Sequence, residues 1–163
     1  HKMARTRLVT GNVMKSRTLR TARGFTLIEI MVVVVIIGLL AAVILPNVFD
    51  KVEEARVSKA KSDIQAIETA LMMFKLDNFK YPSTDLGLTA LVQRPNDPTI
   101  RNWREGGYLK RTSKDPWGNP YQYVNPGTRG GDYDLYTLGA DFAEGGEKAN
   151  ADIGNWNLDQ PQQ

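Results

Sequence analysis

The segment FTLIEIMVVVVIIGLLAAVILP, residues 25–46, constrains the fold more than any other part of the chain. No side chain from Ile30 to Leu45 is polar, and Phe25–Leu45 together make 21 residues. About 20 apolar residues are enough to cross a bilayer as a helix. A buried core helix in a small domain would instead keep a polar face. The pattern therefore predicts a membrane-spanning helix that carries one carboxylate, Glu29, in its first turn.

The charges around this helix predict its orientation. Residues 1–24 carry seven Lys and Arg and no acid, whereas residues 25–163 carry 14 basic and 18 acidic residues. Basic residues before a span keep that side in the cytoplasm. A secretory signal peptide has a similar start, but no A-x-A-like cleavage site follows Leu45. The slightly acidic remainder argues against nucleic acid as a partner.

The composition also disfavours catalysis. The 163 residues include no cysteine, and the only histidine is His1. The chain therefore lacks thiol chemistry and has no internal imidazole to serve as a general base or a zinc ligand. A membrane-anchored enzyme is the weakest of the functional classes considered, and we predict that the chain is not an enzyme.

The residues RGFTLIE, 23–29, resemble the processing site of type IV pilin-like proteins. The resemblance implies that a prepilin peptidase cuts between Gly24 and Phe25 and methylates the new amine of Phe25. Residues 1–24 are then a leader, which shortens to 11 residues if translation starts at Met14. Glu29 becomes the fifth residue of the mature chain.

A lone carboxylate in hydrocarbon costs about 2.5–3.5 kcal/mol on insertion scales, so Glu29 is tolerable only if it lies near the interface or meets a cation. Cleavage would create an amine at Phe25, one helical turn away. The resemblance implies that Glu29 pairs with such an amine, of its own chain or of a neighbour, during assembly. An interfacial carboxylate that reaches water is the simpler alternative.

The helix is expected to continue beyond the membrane, over residues 25–77. Apolar residues there recur at spacings of three and four, which places them on one helical face: Ala60, Ile64, Ile67, Leu71 and Phe74. Gly38 and Pro46 interrupt the first half, and proline inside a helix costs about 3 kcal/mol. The sequence permits either a simple proline kink or a melted segment between these two residues, especially in packed subunits.

The remaining residues predict short elements separated by turns. Ser83 or Thr84 can cap a short helix near 84–93. Turn residues bound a strand at 120–124, and a second strand is expected at 132–139. These strands would form a small antiparallel sheet against the long helix, which is an α+β arrangement.

Three further segments extend the resemblance over most of the chain: FKLDNFKYPSTDLGLTALV, EGGYLKRTSKDPWGNPYQY and DIGNW. They are similar to the major pseudopilins, or G subunits, of type II secretion systems. The resemblance implies a pilin-like fold and a homopolymer, the pseudopilus, that drives folded proteins across the outer membrane. It also implies minor pseudopilins and an inner-membrane assembly platform as partners.

The resemblance implies a division of the chain into a leader (1–24), a transmembrane and polymer-core helix (25–45) and a periplasmic head (46–163). The protein would be single-pass in the bacterial inner membrane, with a cytoplasmic N-terminus, and periplasmic in the assembled pseudopilus. A major or minor type IV pilin of an extracellular fibre is the alternative. Major pilins commonly close the C-terminal region with a disulfide, which this chain cannot form.

The resemblance also implies a calcium-stabilised loop near the C-terminus. Residues 139–155, GADFAEGGEKANADIGN, are rich in acids and glycines. Calcium takes 6–8 oxygen ligands from carboxylates, carbonyls and water. The expected ligands are the Leu138 carbonyl, Asp141, Asn150 and Asp152. The spacing does not match an EF-hand, and from the residues alone an acidic solvated loop is the alternative.

Two groups of residues have ordinary interpretations. Trp103, Trp117 and Trp156 are expected to pack in the head, with subunit contacts as the other option. The charges near Glu53 are expected to form a solvated helix face.

Overall fold

The computed structural model describes Gly11 and residues 23–161, and its largest element is helix α1, Leu27–Asn78. Contacts divide the chain into two compact units, one ending at Ala41 and the other beginning at Ala42. Apart from Gly11 and residues 23–24, the predicted leader lies outside the described residues, as does the alternative start at Met14.

Helix α1 contains both residues that were expected to interrupt it. It is helical without a break through Gly38 and Pro46. Membrane helices tolerate proline because neighbouring groups and small local adjustments satisfy the freed carbonyl. The single chain therefore shows no melted segment between these residues. The bend at Pro46 and melting in packed subunits stay predictions.

The C-terminal half of α1 buries the predicted apolar face. Ile64, Leu71 and Phe74 are completely buried, and the flanking Ala60 and Ile67 are buried with them. They share one core with Leu91, Leu135 and Ile153, which come from elements after the helix. Full burial of one such side chain contributes about 1.5–3 kcal/mol, so this stripe fixes the head on the helix. The prediction of the stripe is confirmed.

Three antiparallel strands form the sheet in the order β1-β2-β3. Strand β1 is Gln122–Val124, β2 is Asp134–Thr137 and β3 is Ile153–Gly154. Tyr123 lies opposite Leu135, and Thr137 lies opposite Ile153. The two predicted strands are present with shorter bounds. The third strand was not predicted, because two residues at the end of a polar loop carry no alternating pattern.

The helix predicted near 84–93 is wrong in type. A turn comes first, in which the Ser83 Oγ accepts a hydrogen bond from the Leu86 N–H at 3.3 Å. A short 3-10 helix, Leu88–Leu91, follows it. Gly87 separates the two with φ 60°, a left-handed conformation that an α-helix cannot contain. A second 3-10 turn, Lys148–Asn150, lies in the C-terminal loop.

Candidate functional site

The predicted cleavage bond lies in an accessible segment. Residues 23–26 are not helical and are exposed, and helix α1 begins only at Leu27. The side chain of Phe25 is 84% exposed. The bond between Gly24 and Phe25 is therefore open to an enzyme directly before the apolar helix, as the processing interpretation requires.

Thr26 and Glu29 form a capping box at the start of α1. The Thr26 N–H donates to Glu29 Oε2 at 2.8 Å, and the Glu29 N–H donates to Thr26 Oγ1 at 3.3 Å. Each side chain thus satisfies a backbone donor that the first turn leaves without an intrahelical partner. This role for Glu29 was missed at the level of sequence, although T-x-x-E before an apolar run is its recognised signature.

The first half of α1 leaves its apolar surface uncovered. The large apolar side chains from Leu27 to Leu45 are between 48% and 79% exposed. This helix is long and apolar enough to cross a membrane, and none of its most apolar window is buried. Continuous apolar surface of this extent needs a lipid or protein environment.

The C-terminal loop between β2 and β3, residues 138–152, contains all four expected calcium ligands. Leu138 directly follows β2, Asn150 ends the second 3-10 turn and Asp152 directly precedes β3. Asp141 is exposed, and its Oδ1 accepts a hydrogen bond from Ala143 N–H at 3.2 Å. Asp152 reaches across the loop, where its Oδ2 accepts from Gly145 N–H at 3.1 Å. The two carboxylates therefore hold the loop backbone from its two ends.

One oxygen in this loop lacks a partner. Asp152 Oδ1 is buried and makes no hydrogen bond in the described part of the chain. A buried carboxylate oxygen without a donor is costly, and a cation satisfies it. Among residues 23–161, no three carboxylate, histidine or cysteine side chains converge on one point. An ion in this loop would therefore depend on backbone and amide oxygens as well as on Asp141 and Asp152.

A buried aspartate that was not predicted from the sequence, Asp115, supports the start of the C-terminal loop through hydrogen bonds. Asp115 is only 4% exposed, and its Oδ2 accepts from the Thr137 hydroxyl at 2.6 Å. Its Oδ1 accepts from the N–H groups of Trp117 and Asn119 at 3.0 and 2.9 Å. The Thr137 hydroxyl in turn accepts from Gly139 N–H at 3.2 Å. Through Thr137, Asp115 thus connects the DPWGN turn to Gly139 of the C-terminal loop.

The sequence suggested that the charges near Glu53 form a solvated helix face. In the structure, three acids of α1, including Glu53, also accept hydrogen bonds from the head. Aromatic side chains from residues 108–121 donate to these acids, at distances of 2.8, 2.8 and 3.3 Å: Tyr108 to Asp77, Tyr121 to Asp63 and Trp117 to Glu53. Burial and the bond to the Asp63 carboxylate raise the pKa of Tyr121 far above its ordinary value. These bonds tie the segment after Arg104 to the helix along its length.

An exposed non-helical segment at residues 23–26, a capped apolar helix and a small three-stranded head together fit a membrane-anchored subunit of the pilin-like class. Residues 19–45 match the prokaryotic N-terminal methylation motif. Residues 47–156 match the family described as type II secretion system (T2SS), protein G. The chain belongs to the type II secretion system protein G family, whose members are major pseudopilins.

Comparison with individual relatives gives the same family. The chain is 57% identical over 142 residues to the type II secretion system core protein G of Vibrio cholerae, covering 87% of this chain and 97% of the relative. It is 59% identical over 139 residues to the core protein G of Pseudomonas aeruginosa, covering 85% and 97%. The crystal structure of the major pseudopilin from enterohaemorrhagic Escherichia coli superposes with a TM-score of 0.59 at 43% identity, covering 68% and 95%.

These similarities confirm the family and the fold that the sequence motifs predicted. The relatives carry the name of the secretion-system subunit, so the alternative of an extracellular fibre pilin is not favoured. The family is a structural component of a secretion system and not a family of enzymes.

Proposed function

We propose that this chain is the structural subunit that polymerises into the periplasmic pseudopilus and thereby drives folded proteins across the outer membrane. The observation that carries the proposal is the joining of two features in one chain. The match to the protein G family, residues 47–156, follows the match to the methylation motif, residues 19–45. The exposed apolar helix gives such a subunit a membrane-resident form, and packing against copies of itself would cover the same surface in the polymer.

In the proposed assembly pathway, the subunit is first inserted into the inner membrane as a single-pass precursor. The basic leader holds the N-terminus in the cytoplasm, and the head lies in the periplasm. A prepilin peptidase cuts after Gly24 and methylates Phe25. The assembly platform of the inner membrane then adds the mature subunit to a fibre that contains minor pseudopilins. The exposed, non-helical Gly24–Phe25 segment supports the cleavage step.

Glu29 is proposed to act in assembly through its charge. Its Oε2 is engaged by the Thr26 N–H, and Oε1 remains for the amine of Phe25. Pairing would neutralise both groups in surroundings where an isolated charge is costly. The pair could form within one chain or between neighbours, and both arrangements use the same carboxylate.

We also propose that one calcium ion binds in the loop from Leu138 to Asp152. The buried, unpartnered Asp152 Oδ1 supports the proposal, because this oxygen belongs to a residue expected to bind the ion. The residues fit a hard cation, since carboxylate, amide and carbonyl oxygens are the ligands that calcium takes. The Leu138 carbonyl, Asp141, Asn150 and Asp152 would hold the ion. The bound ion would supply charge neutralisation and would close the loop, in a chain that has no disulfide.

A complementation experiment tests the function. A bacterial strain with a type II secretion system and a deleted protein G gene would receive this chain. We expect secretion of the system's exoproteins to return, and overproduction to give pseudopili recoverable by shearing. A stable, correctly processed chain that restores neither secretion nor fibres would contradict the proposal. Fibres with adhesion or motility but without secretion would instead favour a type IV pilin.

A further inference from the structure

Two exposed phenylalanines stand at strained positions of the backbone. The described non-glycine residues with positive φ are Phe79 at 66°, Phe142 at 50° and Lys148 at 52°. Phe79 is 83% exposed and Phe142 is 48% exposed. A left-handed conformation is unfavourable for a bulky residue, and persistent strain of this kind clusters at functional sites.

Phe79 belongs to an apolar patch at the C-terminal end of α1. Met72 and Leu76 are four residues apart, which places them on one side of the helix, and Phe79 directly follows the last helical residue, Asn78. Met72 is 59% exposed and Leu76 is 71% exposed. The Phe79 N–H closes the helix by donating to the Lys75 carbonyl at 2.7 Å, at a position where glycine is most common.

The segment 101–111 contacts the same end of the helix, at Asp77 and Asn78, and is basic. It carries four basic residues and one acid, a net charge of +3. Arg104 contacts the helix end through Asp77 at 3.2 Å, and Asn102 N–H donates to Asn78 Oδ1 at 3.1 Å. Within residues 23–161, no ion pair uses Arg101, Lys110 or Arg111. We call Met72, Leu76, Phe79 and the segment 101–111 the distal face.

Phe142 lies in a segment of opposite charge. Residues 139–147, the acidic loop, carry three acids and no base, a net charge of −3. Asp141, Glu144 and Glu147 are exposed and take part in no ion pair among the described residues. Asp141 is a proposed calcium ligand, so the negative charge available for docking is that of Glu144 and Glu147, beside the exposed ring of Phe142. The distal face has the complementary combination of exposed apolar side chains and basic residues that form no ion pair among residues 23–161.

The two surfaces lie towards opposite ends of the head. Lys148 and Ala149, which follow the acidic loop, line a cleft of about 570 Å³ with Asp50, Glu54 and Val57 of the helix. The distal face surrounds helix residues near Asp77. Lys61 is the last helix residue that lines this cleft, and sixteen residues separate it from Asp77, which is about 24 Å along a helix axis. One copy therefore cannot join its own two surfaces, whereas two copies in head-to-tail contact can.

We propose that the acidic loop of one copy docks on the distal face of a second copy of this chain, and that Phe142 packs against the apolar patch around Phe79. This contact between unlike surfaces is heterologous, so it can repeat along a polymer without closing on itself. Opposite charge would select the partner and its orientation. The inference rests on the proposed function, because it identifies a head contact within the pseudopilus.

Cysteine cross-linking in assembled fibres tests the contact directly, because the chain has no cysteine of its own. Leu76→Cys and Ala143→Cys would be introduced together, next to the two rings and without removing either. Gln65→Cys with Ala143→Cys is the matched control. Gln65 is exposed and lies on nearly the same helix side as Leu76, eleven residues or about 16 Å before it.

Oxidation, or a short bis-maleimide, should join the first pair into a ladder of multimers and join the control pair several-fold less. Mixed chains with one cysteine each should give dimers only when one carries position 76 and the other position 143. If fibres form but the first pair cross-links no better than the control, the docking inference is wrong and the proposed function stands. If the wild-type chain forms no fibres, the proposed function fails and the inference falls with it.

Phe79→Gly separates docking from folding. Glycine accepts the left-handed backbone, so the variant should melt at the wild-type temperature or above it, while fibre yield falls several-fold. Phe142→Gly should behave alike, for the same reason. An unchanged fibre yield in both variants would overturn the proposal and leave the rings as ordinary surface residues. Enriched membrane binding of the isolated head through these rings, without cross-linking between copies, would also overturn it.

Discussion

Thr26 and Glu29 hydrogen-bond each other in both directions at the start of helix α1, at 2.8 and 3.3 Å. Glu29 therefore supports the helix in the single chain, before any partner is present. Two roles are combined in one carboxylate: capping of the first turn, and the charge proposed to neutralise the amine of Phe25. The two roles can be separated by substitution, because glutamine preserves a capping box whereas it carries no charge.

Glu29→Gln and Glu29→Ala should both be inserted and cleaved but should assemble poorly, because both lose the partner of the new amine. Only Glu29→Ala should also loosen the first turn, since an alanine at this position cannot reach the Thr26 N–H. Fibre yield reports the charge, and amide exchange at residues 26–30 in detergent reports the cap. Wild-type assembly of Glu29→Gln would show that the cap suffices and would contradict the pairing role.

Processing should occur at one bond. Membranes that contain a prepilin peptidase should convert the chain to a form that begins with methylated Phe25, as read by mass spectrometry of the N-terminus. Gly24→Ala should slow this cleavage, and Gly38→Ala, which changes a glycine beyond the cut, should leave it unchanged. An intact leader, or a cut after Leu45, would exclude this processing scheme.

Asp115 should matter for stability far more than its place in a turn suggests. Asp115→Ala removes the acceptor of the Thr137 hydroxyl and of two backbone N–H groups at a buried site. Hydrogen bonds to a charged group contribute about 1.5–3 kcal/mol, so the free energy of unfolding should fall by about 3 kcal/mol. Asp85→Ala, at an exposed turn position, should change it by less than about 0.5 kcal/mol. Urea unfolding of a soluble fragment of the head, residues 48–163, measures the free energy of unfolding of both variants. Equal effects of the two substitutions would contradict the role of Asp115.

The sequence was most informative where a pattern is long. The stripe from Ala60 to Phe74 repeats over four turns, and its burial follows from helix geometry alone. Strand β3 has only two residues. It pairs with β2 because the C-terminal loop brings Ile153 opposite Thr137, and local sequence patterns do not show such a contact between distant residues. Asp115 was missed for a related reason. Aspartate is common in turns, so its presence carries no special signal, and only the fold brings the Thr137 hydroxyl into hydrogen-bond distance of Asp115.

The calcium loop also illustrates the limit of local pattern. Acids and glycines at 139–155 are equally compatible with a solvated loop, and the spacing matches no EF-hand. Folding adds what the sequence could not show, namely that one Asp152 oxygen is buried without a partner while the other holds the Gly145 N–H. This asymmetry suggests the sharpest substitutions for testing the ion.

Calcium should stabilise the soluble fragment of the head, residues 48–163, by binding its folded state. The contribution to the free energy of unfolding is about 2.7 kcal/mol when the free calcium concentration is 100 times the Kd. A chelator should therefore lower the melting temperature of the wild-type head. Asp141→Ala and Asp152→Asn should each lose a charged ligand and become insensitive to the chelator. Asparagine still offers an oxygen to the Gly145 N–H, so any loss in Asp152→Asn reports the charge and not the loop bond.

Glu144→Gln is the matched control, because it removes an acid from the same loop at an exposed position outside the proposed ligand set. It should keep the response of the wild-type head to calcium. Calcium should also be required for fibre assembly, since an open loop would alter the surface presented to the next copy. If the wild-type head melts at one temperature with and without calcium, and titration calorimetry detects no binding, the loop is an acidic turn. The unpartnered oxygen of Asp152 would then be satisfied by water.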